Sequence, residues 1–270
     1  MTSAGPRRAR APLPAGGDPV TRPEAVLELS GVGVTYPDGT QACTGVSFRL
    51  AAGEFVSVVG PSGCGKSTLL RVASGLMAPS EGTATNRAGD GTGYVFQDAT
   101  LFPWRTLLRN VTLLAELRGQ PRAERERRAA EAIDRVGLDG FAGHKPAALS
   151  GGMKMRASLA RALVLSPRLL LLDEPFSALD ELTRERLGEL LQELFVTDQF
   201  AALLVTHSIT EAVYLSGRVL VMSARPGTVL TEVTVPFAYP RSPRLRYEPE
   251  FAEVAAAVSK ALRAEAVPAT

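Results

Sequence analysis

A nearly unbroken apolar strand runs straight into a glycine-rich loop. Glu54-Phe-Val-Ser-Val-Val59 is rich in β-branched residues and leads without interruption into Gly60-Pro-Ser-Gly-Cys-Gly-Lys-Ser-Thr68. A strand with so little polar alternation must be covered on both faces, as in a parallel sheet. The nine following residues match G-x-x-x-x-G-K-[ST], in the strand-before, helix-after context that the pattern requires. The glycines let successive backbone N–H groups converge on phosphate oxygens. A helix opening at Lys66 adds the positive end of its dipole. Lys66 is expected to reach the β- and γ-phosphates of a nucleotide, and Ser67 to offer a hydroxyl to Mg²⁺. Gly60, Pro61, Ser62, Gly63, Cys64, Gly65, Lys66, Ser67 and Thr68 are therefore the first candidate binding residues.

A second apolar run, Leu169-Leu-Leu-Leu172, ends in Asp173 and Glu174. Beside a phosphate loop, Asp173 is placed to hold Mg²⁺ through water, and Glu174 to polarise a water attacking the γ-phosphate. Ala201-Ala-Leu-Leu-Val205 is another short apolar run, separated from the first by a helical pattern over 181–196. Strand, helix and strand at this spacing predict a parallel α/β sheet. Upstream, Val26–Leu29, Val32–Tyr36 and Val46–Leu50 alternate like half-exposed strands, with a turn at Pro37-Asp-Gly39. Residues 106–137 read as helical, and Arg122–Arg128 carries a dense charge face expected to be solvated. A further helix is expected from Gly151 to about Leu165. Short strands return over 217–235, a Pro/Arg-rich stretch covers 236–249, and an amphipathic helix is expected over 250–264.

Composition narrows the function classes. The chain has 270 residues, 45% hydrophobic and 21% charged, enough to bury a core without staples. No apolar run approaches the roughly 18–20 residues of a membrane span, which argues against a channel or permease. Net charge is +2, so nothing demands a polyanionic partner, and no nucleic-acid role is expected. Cys43 and Cys64 are the only cysteines, which is no disulfide framework and fits a reducing compartment. Cys64 lies near a helix N-terminus and Lys66, so a reactive thiol is expected there unless its side chain points away. Residues 1–24 are rich in Pro, Ala, Gly and Arg and read as a disordered tail, with no apolar segment of a signal peptide. His144 lies in a polar stretch without a motif and is expected to be solvated.

The order of motifs resembles the ATP-binding-cassette (ABC) ATPases. The phosphate loop is followed by Leu149-Ser-Gly-Gly152, Leu169-Leu-Leu-Leu-Asp-Glu-Pro175, Ser177-Ala-Leu-Asp180 and Val205-Thr-His207. The resemblance covers residues 26–235 and implies a P-loop NTPase (RecA-like) fold: a parallel core, an antiparallel β subdomain and an inserted α-helical subdomain at about 98–166. The cassette would span 25–235, and 236–270 would be a C-terminal extension. By the same resemblance Tyr36 stacks on adenine, Gln97 touches Mg²⁺ and senses a membrane partner, and His207 addresses the γ-phosphate. Ser150, Gly151 and Gly152 form the signature loop and Asp180 the D-loop. Two copies then pack head to tail, each signature loop closing on the other copy's ATP. Met153 departs from the usual glutamine of that loop, and Ser208 from the usual acid after the histidine.

Only 53 positions separate Gln97 from Ser150, too few for the long coiled coil of DNA-repair relatives. Only 63 residues follow His207, too few for the regulatory domain of sugar-importer subunits. Leu101-Phe-Pro-Trp104, Glu211-Ala-Val-Tyr214 and Val221-Met-Ser-Ala-Arg-Pro-Gly227 resemble the nitrate/sulfonate/taurine importer group. The resemblance implies an ATP- and Mg²⁺-dependent homodimeric ATPase. It would dock on permease subunits at the cytoplasmic face of the membrane and serve a substrate-binding protein. Pyrimidine precursors, aromatic carboxylates and a non-transport role remain alternatives. Trp104 either lines the permease groove or packs within the helical subdomain.

Overall fold

The computed structural model describes residues 24–263. The tail expected at 1–24 lies, except for Glu24, outside the described residues.

Two sheets meet around one helix. β1 (Ala25–Thr35), β2 (Gln41–Ala51) and β4 (Glu81–Asn86) form an antiparallel sheet in the order β2-β1-β4. β3 (Phe55–Val59), β5 (Thr92–Val95), β6 (Leu169–Asp173), β7 (Ala201–Thr206), β8 (Arg218–Met222) and β9 (Val229–Thr234) form the second, in the order β5-β6-β7-β3-β8-β9. All its pairings are parallel except β8 with β9. This is the P-loop NTPase arrangement that the sequence implied.

Period-two alternation splits the core into two layers. Val56, Val58, Leu169, Leu171, Leu203 and Val205 face the antiparallel sheet and α1 (Lys66–Ala73), which contributes Leu69, Leu70 and Val72. Phe55, Val59, Leu170, Leu172, Ala202 and Leu204 face the other way, toward α5 (Gly151–Leu163), α6 (Glu181–Asp198) and α7 (Ile209–Leu215). Both faces are covered, so β3, β6 and β7 are buried along their whole length.

Two sequence readings are corrected. The stretch 106–137 is three helices: α2 (Leu107–Val111), α3 (Leu113–Leu117) and α4 (Arg122–Arg135). Gly119 turns left-handed (φ +69°), and Pro121 sits at the N-cap of α4, so one helix cannot run through. The two upstream strand runs are one strand, β1, with register shifts between Leu29 and Val32 where Gly31 takes φ +61°. The charge run on α4 forms ion pairs along its surface, Arg127 and Arg128 both reaching Glu124.

The register of the parallel sheet places the site. Val59 pairs with Thr206 and Asp173 with Val205, so β3, β6 and β7 end at one level. Gly60, Glu174 and His207 therefore leave the same edge of the sheet, where open α/β folds bind ligands. α7, which follows His207, is held at its far end by Arg241, only 5% exposed. Its Nη1 donates to the carbonyls of Val213 (2.9 Å), Tyr214 (3.0 Å) and Ser216 (3.0 Å). Those are carbonyls that a helix end leaves without partners. Past Arg241, among the described residues, comes α8 (Pro249–Arg263), which packs on α7.

Arg241→Met keeps the bulk and removes every donor. Buried carbonyls left unsatisfied cost about 1–3 kcal/mol each, offset in part because a buried guanidinium charge is removed, so a stability loss of about 2–4 kcal/mol is expected. Urea unfolding should show a lower midpoint at an unchanged slope.

Candidate functional site

The phosphate loop adopts its shape because two glycines admit backbone contact. Gly65 has φ +94°, and a Cβ on it would lie 2.6 Å from the Ala42 carbonyl oxygen. Gly227, from the loop after β8, packs so closely on the Cys64 carbonyl that no side chain fits between. Arg225 of that loop donates from Nε to the Gly63 carbonyl at 2.9 Å. Lys66 is buried in the concavity, its Nζ donating to the carbonyls of Gly60 (2.8 Å) and Pro61 (2.9 Å).

The strand ends bring the other candidates to this loop. Ser67 Oγ donates to Asp173 Oδ1 at 2.7 Å, and Tyr94 Oη donates to Asp173 Oδ2 at 3.2 Å. Burial, then the Asp173 charge, pushes the Tyr94 phenol well above its usual range, so it stays a donor. Glu174 Oε1 lies 3.9 Å from Lys66 Nζ, and Glu174 Oε2 lies 3.0 Å from His207 Nδ1. Glu174 holds φ +44°, unusual for a non-glycine residue, while its N–H donates to Val205 O at 2.9 Å. Ser177 Oγ accepts from Gln97 Nε2 at 3.5 Å and donates to the Glu174 carbonyl at 3.0 Å. Tyr36 Oη is 2.8 Å from Thr68 Oγ1.

Ser150, Gly151, Gly152 and Asp180 form a separate cluster. Ser150 caps α5, its Oγ accepting from Met153 N at 3.3 Å. Asp180 caps α6, accepting from Thr183 N at 3.0 Å, and those hydrogen bonds hold its carboxyl below the usual range. The Thr183 methyl occupies the space where Gly152 would carry a Cβ. Among the described residues, no hydrogen bond joins this cluster to the phosphate loop.

Tyr94, Ser177 and Arg225 were given no role by the sequence. Ser177 and Arg225 lay inside quoted motifs without a role of their own; Tyr94 reaches the site only through strand order. Cys64 corrects an expectation. It is 1% exposed, and burial raises its thiol pKa against the opposing pull of Lys66 and nearby backbone N–H groups. His144 is exposed, as expected, with its ring 5.2 Å from Phe141.

Chemically, the edge combines a backbone cradle for phosphate, a lysine, a carboxylate–imidazole pair and a set of hard oxygen donors. The hydroxyl of Ser67, the carboxylate of Asp173 and the amide of Gln97 suit Mg²⁺, which is held by few protein ligands plus phosphate oxygens and water. Among the described residues no cluster of three or more His, Cys, Asp or Glu offers a denser metal cage.

A parallel sheet with this loop and this carboxylate pair at one edge defines a P-loop nucleotide hydrolase. The particular family follows from comparison: residues 43–177 match the ABC transporter family, and the chain belongs to it. It is similar to the taurine import ATP-binding protein TauB of Yersinia pestis bv. Antiqua, 44% identical over 78% of this chain and 85% of that one. It is also similar to the aliphatic sulfonates import ATP-binding protein SsuB 1 of Pseudomonas syringae pv. syringae, 45% identical over 76% and 84%. The ABC transporter cassette MJ0796 has been solved as a dimer and in a post-hydrolysis state bound to ADP and Pi. Each structure matches with a TM-score of 0.70 at 35% identity, covering 78% of this chain and all of that one. The chain is thus an ABC-type ATPase that binds ATP. Among its described residues no helix is long and apolar enough to cross a membrane.

With both cysteines buried, a bulky thiol reagent should modify the folded protein far more slowly than free cysteine. Unfolding in urea should release both thiols, and a fast-reacting thiol in the native protein would contradict the burial.

Proposed function

We propose that this chain is the ATP-hydrolysing subunit of an importer for a small anion of the sulfonate or nitrate type. The observation that carries the catalytic part is the placement of Glu174 between Lys66 and His207 at the mouth of the phosphate loop. The anion class rests on the similarity to the taurine and aliphatic sulfonates import subunits. Tyr36 would stack on adenine, and Gly60 to Thr68 would wrap the phosphates, with Lys66 directed at their terminal oxygens. Ser67, Asp173 and Gln97 would hold Mg²⁺, which when bound neutralises charge building on the β- and γ-phosphates. Glu174 would take the proton from the attacking water, oriented by His207 through Nδ1.

Among the described residues no hydrogen bond joins Ser150, Gly151, Gly152 and Asp180 to the phosphate loop, which supports a role in trans. In a head-to-tail homodimer, the N-terminal end of α5 would meet the partner's γ-phosphate with its unsatisfied N–H groups. We read 25–235 as the cassette, 98–166 as its helical part and 236–270 as an extension. The chain would sit on permease subunits at the inner membrane face, with a substrate-binding protein acting on the far side. Trp104 is 68% exposed beside the Phe102 ring at 5.2 Å, and that exposure supports docking near Gln97.

Glu174→Gln keeps the shape and removes the basicity. Hydrolysis should fall by about 10²–10⁴ while ATP binding persists and traps a dimer. Wild-type turnover in that variant would overturn the assignment.

In vesicles containing the cognate permease, loaded binding protein should stimulate ATPase activity several-fold. Trp104→Ala should abolish that stimulation and spare basal hydrolysis. Equal activity with loaded and empty binding protein would contradict the importer reading.

A further inference from the structure

Asp173 is gripped at both oxygens, at one from a helix and at the other from a neighbouring strand. Ser67 Oγ holds Oδ1 at 2.7 Å from the first turn of α1. Tyr94 Oη holds Oδ2 at 3.2 Å from β5, the strand next to β6 on its outer side. Tyr94 pairs in register with Leu171, two residues before Asp173, which sets its ring level with the strand end. The ring lies 4.2 Å from Phe96, centroid to centroid, so it is braced from the side.

The two grips are not equivalent. Ser67 spends its proton on Asp173 and keeps its lone pairs, the part of the hydroxyl a cation uses. Asp173 would then be steered by one bond alone, and the torsion that turns a carboxylate is broad. A second donor on the other oxygen removes that freedom. From this geometry, and resting on the reading of Asp173 as the carboxylate that holds Mg²⁺, we infer that Tyr94 is a positioning residue. It fixes the plane of Asp173 for the metal and touches neither metal nor nucleotide itself. Partners of this outer kind change metal affinity by about 10–100-fold when removed.

Tyr94→Phe keeps the ring and its contact with Phe96 and deletes only the hydroxyl. The primary readout is calorimetric binding of ATP to the full chain, with Mg²⁺ and with EDTA. A second readout is Mn²⁺ affinity in the presence of ADP, followed by electron paramagnetic resonance. Tyr94→Phe should bind metal-free ATP within about twofold of the wild type and bind Mn²⁺ about tenfold more weakly. The Mg²⁺ concentration that half-saturates hydrolysis should rise by a similar factor, with kcat at saturating Mg²⁺ much less affected. Unchanged Mn²⁺ affinity in Tyr94→Phe overturns the inference. So does an equal loss of ATP affinity with and without metal, which would mark a packing role. Asp173→Asn separates the two levels: if it leaves Mn²⁺ affinity intact, the reading of Asp173 fails. If it abolishes that affinity while Tyr94→Phe does nothing, only the role of Tyr94 fails.

Discussion

The site depends on one place where backbone meets backbone. The carbonyl of Ala42 accepts from Gly227 N at 3.0 Å and lies against Gly65, with no side chain between. Gly227 in turn lies on the Cys64 carbonyl. The phosphate loop is thereby held between β2, from the antiparallel sheet, and the loop after β8, from the parallel one. A Cβ at Gly65 or Gly227 would push these backbones apart. With the loop fixed on both sides, α1 leaves it in one direction, and Lys66 turns back into the concavity. The joining of the two sheets and the shape of the anion cradle are one packing problem with one solution.

The parallel sheet supplies the rest through register. β7 lies between β3 and β6, so the ends of the three strands form a row with His207 and Glu174 side by side. The row leaves Glu174 one residue past the strand, where the chain turns through a left-handed conformation. Such a conformation in a residue with a side chain costs on the order of 1–3 kcal/mol. The bond from its own N–H to Val205 O and the Ser177 hydroxyl on its carbonyl hold it there. Those two hydrogen bonds hold the carboxylate between an ammonium and an imidazole.

What was legible in the sequence is what local chemistry dictates. The run from Phe55 to Thr68 announces strand, loop and helix because glycine and a β-branched run admit few other shapes. Asp173 and Glu174 are legible because two carboxylates seldom end a four-leucine run without a use. The helix expected from Gly151 begins there with Ser150 as its cap, and the helical pattern expected from 181 begins there with Asp180 as its cap. One miss is local and the others are nonlocal. The break at Gly119 and Pro121 was hidden by flanking helical periodicity on both sides. Cys64 was judged by the charges near it in sequence, whereas its thiol lies against Gly60 and is buried in the core between the two sheets. Tyr94 and Asp173 are 79 positions apart, and only the adjacency of β5 and β6 makes them partners.

The contact between Gly152 and Thr183 has a mechanical consequence. The first turn of α5 rests directly on the first turn of α6, and Asp180 ties its own loop to Thr183 by a hydrogen bond. Ser150 and Asp180 therefore belong to one rigid block with few internal degrees of freedom. A surface made of two independent loops would lose entropy twice on meeting another molecule, once for each loop. Here the two helix starts are already seated on each other, so association through this face costs less backbone ordering. A larger residue at position 152 would separate the two helix starts and turn one preorganised surface into two loosely related ones.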